Sequence, residues 1–236
     1  GLCAHTGNAP MAGYACLPMM AQGELLGVLH LRTDLPGPLD ASRRKLASAL
    51  GEQVALSLAN IRLKETLHRQ AMHDPLTGLY NRRYLEDTLE RELRRAVRKG
   101  APVGILMLDL DHFKDYNDTH GHAAGDALLR AFGAHLLGSI RGEDFACRYG
   151  GEEFAIILPD VGLEKAVQRA EEIRQEARGI RVESGGQRLE AATVSIGVAA
   201  LPTHGTTPET VLRAADAALY AAKAEGRDRV KAAPQT

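Results

Sequence analysis

Phe145-Ala146-Cys147-Arg148-Tyr149-Gly150-Gly151-Glu152-Glu153-Phe154-Ala155-Ile156-Ile157-Leu158 places two short apolar runs on either side of a Gly-Gly turn that carries two carboxylates. The pattern predicts a β-hairpin with strands at 145–149 and 154–158. Glycines accept positive φ and let a planar group or a phosphate approach the backbone, so the tip can serve as a turn and a binding surface at once. The same letters also fit an ordinary glycine hairpin with a polar tip, and the neighbours have to decide.

Outward from the hairpin, Val103 to Leu108 is almost wholly apolar, as a buried central strand should be, yet it runs into Asp109-Leu110-Asp111. If that strand lies beside the hairpin, Asp109 meets Glu152 and Glu153, and the negative cluster calls for hard cations such as Mg2+. A two-metal arrangement there can activate an attacking hydroxyl and stabilise a pyrophosphate leaving group. Lys114 follows the acidic strand end. Lys223 and Arg227, four apart in Tyr220-Ala221-Ala222-Lys223-Ala224-Glu225-Gly226-Arg227, are expected on one face of a last helical turn, clamping a triphosphate. Between Lys114 and the next helix come Asn117-Asp118, Gly121-His122 and Gly125-Asp126, read as a polar turn leading into that helix. An amide and a carboxylate suit guanine, since Asn117 can face the ring nitrogen or keto oxygen while Asp126 accepts from the N1 and N2 hydrogens. Equally, Asp126 can be an acid favoured by the dipole of a helix's first turn. His122 reads as a hydrogen-bonding residue rather than a metal ligand.

The rest of the chain supplies the frame. Pro75 and Gly78 interrupt a helical pattern, and a new helix runs to about Lys99. Helices at 125–137, 163–178 and 208–224 alternate with the strands, and the last strand is expected at 192–200. This order implies an α+β fold, a central mixed sheet flanked by helices. Before it, residues 14–31 form two apolar runs around Gln22-Gly23-Glu24, a hairpin signal, followed by a Pro36-Gly37-Pro38 turn and Asp40 as the cap of a long helix. In that helix Leu46, Leu50, Val54, Leu58 and Ile61 form one apolar stripe and Leu56, Leu63 and Leu67 a second. Both stripes can pack within one protomer, or one can form a parallel coiled coil between two copies.

The composition excludes several classes. With 25% charged and 44% apolar residues and a net charge of -1, the chain has the balance of a protein that buries a core, and lacks the basic excess of nucleic-acid binders and membrane-surface proteins. No run approaches the roughly 20 apolar residues that span a bilayer. Cys3, Cys16 and Cys147 match neither a disulfide framework nor a zinc site, so reduced thiols and a cytoplasmic location are expected. Beginning at Gly1, the chain reads as part of something longer, with a membrane or sensor region upstream left open.

Asp-x-Asp-x-Phe-Lys-x-x-Asn-Asp (109–118), Gly-His-x-x-Gly-Asp (121–126), Arg-Tyr-Gly-Gly-Glu-Glu-Phe (148–154), Ser-Ile-Gly-Val (195–198) and Tyr-x-Ala-Lys-x-x-Gly-Arg-Asp (220–228) occur in that order. Together they resemble the GGDEF family of diguanylate cyclases, in a Gly-Gly-Glu-Glu-Phe variant, over residues 72–232. The resemblance implies a GGDEF-like domain at 73–236; separately, the hairpin, the Pro/Gly loop and the long exit helix together resemble the C-terminal part of a GAF sensor domain, giving part of a GAF-like segment at 1–40 and a signalling helix at 41–72. The GGDEF resemblance implies two GTP condensed to cyclic di-GMP across a homodimer formed through the 41–72 helix. Mg2+, or Mn2+ in its place, is then held by Asp109, the Leu110 carbonyl and the acidic turn, with Glu152 as base and the principal metal contact left open between Glu152 and Glu153. Asn117 and Asp126 would bind guanine, Lys114, Lys223 and Arg227 the phosphates, and Gly150 and Gly151 would border the substrate. Arg141-Gly142-Glu143-Asp144 matches an Arg-x-x-Asp product-inhibition site, with Arg95 assisting from another copy, while Glu172 falls where some relatives carry a further arginine. Two other readings stay open: a silent domain that only binds nucleotide or product, although no turn or metal residue is missing, and a sensor whose main function lies in the N-terminal segment.

Overall fold

A computed structural model describes residues 13–21, 23–33, 40–190 and 192–234. The Pro36-Gly37-Pro38 turn, Gln22 and Cys3 lie outside them. The chain divides into two units, Gly1–Arg69 and Gln70–Thr236.

In the first unit β1 (Gly13–Ala21) pairs antiparallel with β2 (Glu24–Thr33), forming the expected hairpin. Helix α1 (Ala41–Met72) follows, and Asp40 caps it by accepting from the Arg43 amide at 2.7 Å. Small residues of α1 face the hairpin: Ala47 and Ala55 are buried, and Gly51 lies against Leu29. Both apolar stripes are exposed, from 37% at Leu58 to 63% at Leu46, so neither is covered within the described residues of one chain.

The second unit is a six-stranded mixed sheet with helices on both faces. Its elements are β3 (Tyr80–Asn81), α2 (Arg82–Lys99), β4 (Val103–Leu110), α3 (Phe113–His120), α4 (His122–Ser139), β5 (Phe145–Gly150), β6 (Glu153–Pro159), α5 (Leu163–Ala177), the β7–β8 hairpin (Arg181–Ser184, Gln187–Glu190), β9 (Val194–Leu201), α6 (Pro208–Ala224) and β10 (Val230–Ala232). The strand order is β10-β9-β4-β6-β5-β3, with β4 antiparallel to both neighbours. Every residue of β4 is buried, which accounts for its unbroken apolar run.

The period-two alternation of β4 sorts the core into two layers. Leu106, Leu108 and Leu110 pack with Leu128 and Phe132 of α4 and with Ala170 and Ile173 of α5. Val103, Ile105 and Met107 pack on the other side with Leu89 and Leu93 of α2 and with Ala215 and Leu219 of α6. Asp109 continues the odd-numbered set and so belongs to the side of α2 and α6. Close packing of α6 depends on Gly197 in β9, where a β-carbon would stand 2.1 Å from the Ala215 carbonyl oxygen and 2.2 Å from the Leu219 nitrogen.

Four details differ from the sequence expectation. Helix α4 begins at His122 rather than 125, so Asp126 lies beyond its first turn and is not the dipole-favoured acid of that turn. The segment read as a polar turn after Lys114 contains α3, a two-turn helix with no buried residue and hence no apolar stripe to announce it. Strand β9 begins at Val194 rather than Ala192. Helix α6 stops at Ala224 and the chain enters left-handed conformations at Arg227 and Asp228, so Lys223 and Arg227 do not share a helical face.

Candidate active site

The β4–β6 register pairs Asp109 with Glu153, and the Leu110 amide donates to the Glu152 carbonyl at 3.3 Å. Asp109 is 5% exposed, and its Oδ2 lies 2.6 Å from Lys223 Nζ on α6. Burial pushes its carboxyl up to about 6, against the pull of Lys223 and with the negative charges of Glu152 and Glu153 adding to the rise. A carboxylate so placed gains from any cation brought to it. Among the described residues no three His, Cys, Asp or Glu side chains form a preformed metal cluster. The oxygen donors present, Asp109, the opposed Glu153 and the main chain at Leu110, instead fit Mg2+, which takes only one or two protein carboxylates and fills its octahedron with water and phosphate oxygens.

Asp111 has a different task. It is 2% exposed and accepts from Thr193 Oγ1 and Ser195 Oγ at 2.7 Å each and from the Asp228 amide at 3.0 Å. These bonds tie the end of β4 to β9 and to the loop after α6.

The Gly-Gly turn is held from behind. Arg148 Nε donates to the Gly151 carbonyl at 2.9 Å, and its Nη1 reaches the Asp74 carboxylate at 3.2 Å. Asp74 also accepts from the Thr77 amide and hydroxyl, both at 2.8 Å. Burial alone would raise the Asp74 carboxyl, but the bonds from Thr77 and the Arg148 guanidinium hold it below its ordinary range. Sequence analysis took only Pro75 and Gly78 from this segment, although the Asp74-x-x-Thr77 spacing is itself a turn signal.

Lys114 is exposed in the first turn of α3. Asn117, on the same helix, lies over Gly125 of α4. A β-carbon at Gly125 would come within 1.8 Å of Asn117 Oδ1, and this buried oxygen has no hydrogen-bond partner among the described residues. Asp126 is exposed beside Arg130, 4.0 Å away. The structure thus brings Asn117 up to the start of the helix that carries Asp126.

Arg141 and Asp144 stand at the far end of β5 from the Gly-Gly turn, roughly 20 Å away by strand geometry. Asp144 Oδ2 accepts from the Arg141 amide at 2.8 Å and from Arg169 Nη1 at 2.7 Å. Arg169, absent from the sequence reading, also donates to the Ser139 carbonyl at 3.0 Å. Arg141, Lys165, Gln168, Arg169 and Glu172 line a cavity of about 280 Å3. Arg95 pairs with Glu92 on α2, and no described contact joins it to Arg141 or Asp144.

Residues 71–229 match the family model described as diguanylate cyclase, GGDEF domain. The response regulator PleD of Caulobacter vibrioides is 46% identical over 161 residues, covering 68% of this chain and 36% of PleD. The diguanylate cyclase DgcP of Pseudomonas aeruginosa is 40% identical over 169 residues, covering 72% of this chain and 25% of DgcP, so the chain spans only a minor part of these relatives. Among solved structures, the coiled coil and GGDEF domain of DgcB from Caulobacter crescentus in complex with c-di-GMP superposes with a TM-score of 0.72 at 36% identity, covering 80% of this chain and 99% of that one. The active GGEEF domain of a diguanylate cyclase from Vibrio cholerae superposes with a TM-score of 0.61 at 32% identity, covering 66% and 98%. Matched through nearly all of its second unit, the chain belongs to the diguanylate cyclase GGDEF-domain family.

Proposed function

We propose that this chain condenses two GTP molecules into cyclic di-GMP, releasing two pyrophosphates, with each protomer of a homodimer holding one GTP. The observation that carries the reading is the in-register opposition of Asp109 and Glu153 beside Lys223. Relatives named as diguanylate cyclases support it.

Asn117 and Asp126 would read guanine, Asn117 through its unpartnered side-chain oxygen. Lys114, Lys223 and Arg227 take the phosphates, with Gly150 and Gly151 bordering the nucleotide. Asp109, the Leu110 carbonyl and the acidic turn would hold Mg2+, or Mn2+ in its place. When bound, the metal stabilises charge on the α-phosphate and the departing pyrophosphate. Glu153, directly opposite Asp109, would make the turn's principal metal contact, and Glu152, nearer the tip, takes the proton of the attacking 3′-hydroxyl. Each attack forms a bond from O3′ to the α-phosphorus of the facing GTP and breaks that phosphorus's bond to pyrophosphate, and two attacks close the ring. Holding the two nucleotides face to face turns a chance encounter into a local one.

The exposed stripes of α1 supply the surface for a parallel coiled coil between two copies. The 1–40 segment is read as the end of a GAF-like sensor, supported by its hairpin packed on the exit helix. No described helix is long and apolar enough to cross a membrane, and the proposed location, with GTP as substrate, is the cytoplasm. Arg141 and Asp144 are read as a product-inhibition site, supported by the cationic cavity beside them, with Arg95 assisting from a second copy.

Incubation with GTP and Mg2+ followed by resolution of the products tests the activity, with Glu152→Gln and Asp109→Ala as inactive controls. Cyclic di-GMP is expected; pyrophosphate without a cyclic dinucleotide, or no turnover, would overturn it. Titrating product against Arg141→Ala should show inhibition lost at least about tenfold, the effect of losing one charge-assisted contact; full inhibition would remove the assignment.

A further inference from the structure

The loop that follows α6 is strained and clamped. Gly226, Arg227 and Asp228 have φ of 111°, 61° and 46°, so two successive non-glycine residues sit in the left-handed region. Such residues persist only where their surroundings over-determine them, and they gather at functional sites. Here the surroundings are specific. The Asp228 amide donates to Asp111, and the Arg227 amide donates to the Ala222 carbonyl at 3.0 Å. The Asp228 carboxylate is taken by two arginines of the α5 end: Arg174 Nη1 donates to Oδ1 at 2.6 Å, and Arg178 Nη2 donates to Oδ2.

Arg174 is only 9% exposed. Its Nε and Nη2 make a paired contact with Glu171 at 2.8 and 2.5 Å, which leaves Nη1 free to face Asp228. Glu171 thus fixes the guanidinium plane, and a fixed fork is what an arginine needs to hold one carboxylate in one place. Among the described residues, no hydrogen bond or ion pair joins Glu171, Arg174, Arg178 or the Asp228 carboxylate to Asp109 or the Gly-Gly turn, so the direct chemistry leaves them unexplained.

We propose that Arg174, oriented by Glu171, is a positioning residue: by holding Asp228 it keeps the left-handed Arg227 backbone in place and so aims the Arg227 guanidinium at the β- and γ-phosphates of the substrate. This rests on the reading of Arg227 as a phosphate contact. Arg174 itself touches no substrate. A buried arginine is thereby committed to a loop, and an aspartate follows Arg227 to receive it.

The test is a double-mutant cycle on the full chain, read by calorimetric binding of 3′-deoxy-GTP with Mg2+, which binds but lacks the attacking hydroxyl. Arg227→Ala and Arg174→Gln should each weaken binding about tenfold, as expected for one displaced charge-assisted contact. In the Arg227→Ala background Arg174→Gln should change it less than about twofold, because the two act on one contact. Asp228→Asn, which keeps the backbone amide, repeats the cycle should Arg174→Gln not fold. Binding of 3′-deoxy-GMP, which lacks the β- and γ-phosphates, should be the same in all variants. Additive losses, or an Arg174→Gln loss that is equal for both ligands, overturn the positioning role while leaving Arg227 as a phosphate contact. Unchanged binding in Arg227→Ala overturns the phosphate reading and this inference with it.

Discussion

Replacing Asp109 by asparagine should give a protein that is inactive and more stable. The Asp109 carboxyl is buried at the end of β4, and burial raises it from 3.8 to about 6 against the pull of Lys223. That rise corresponds to roughly 3 kcal/mol of preference for the protonated form. The folded protein holds the proton more tightly than the unfolded chain does. The stabilisation is therefore fully present below about pH 4 and lost as pH rises through about 6. At pH 8 the wild type carries the whole penalty, whereas asparagine, of equal size and uncharged, carries none. Lys223 loses its partner, but its pull is already contained in the value of about 6, and at 32% side-chain exposure it can turn to water. The net gain is about 3 kcal/mol, or an unfolding midpoint about 6–12 °C higher for a chain of this size. Thermal unfolding in EDTA at pH 8 and pH 4.5 provides the measurement. At pH 4.5 about 2 kcal/mol has returned to the wild type, and the gap should shrink to about 1 kcal/mol. A variant no more stable than wild type at pH 8, or a gap independent of pH, would refute the account of Asp109 as a carboxylate kept for function against stability.

Gly197→Ala should lower stability by about 3 kcal/mol in urea unfolding, since a β-carbon cannot fit against the α6 backbone without lifting the helix; a loss below about 0.5 kcal/mol would mean that the helix can move freely. Gly125→Ala should push Asn117 aside and weaken GTP about tenfold with little change in unfolding, measured by competition between GTP and ATP; unchanged discrimination would take Asn117 out of the guanine contact. Leu58→Pro should break α1 and lower turnover at least about tenfold while GTP still binds, and undiminished turnover would separate dimerisation from the helix.

Where local pattern carried the information, the sequence was legible. The apolar run of β4 and the Gly-Gly hairpin were readable because a buried strand and a tight turn each leave a periodic or compositional mark. The opposition of Asp109 and Glu153 could be stated only as a condition, because strand pairing is non-local, and the register was needed to meet it. Helix α3 was hidden by its brevity and lack of a buried stripe. Strand β3, at two residues, and the β7–β8 hairpin were too short to stand out from loops. The face-sharing of Lys223 and Arg227 failed because a four-residue interval was carried past the helix end at Ala224 into Gly226. Arg169 and Arg174 were invisible for another reason. A charged residue on an amphipathic helix normally reads as solvated, and only tertiary packing shows that Asp144 and Asp228 lie opposite these two.

Residues 103–110 act as a counting device for the whole domain. Since odd and even positions of β4 go to opposite helical layers, inserting or deleting one residue between Met107 and Asp109 would turn the carboxylate toward α4 and α5, away from Lys223, while leaving the composition nearly unchanged. Substitutions within the strand are graded in their effect, but changes in its length are all-or-none. Lineages that share this arrangement are therefore free to exchange Leu, Ile, Val and Met along β4, yet are bound to keep its residue count, and tolerated insertions in their genes should fall in loops such as 185–186 and never between 103 and 109.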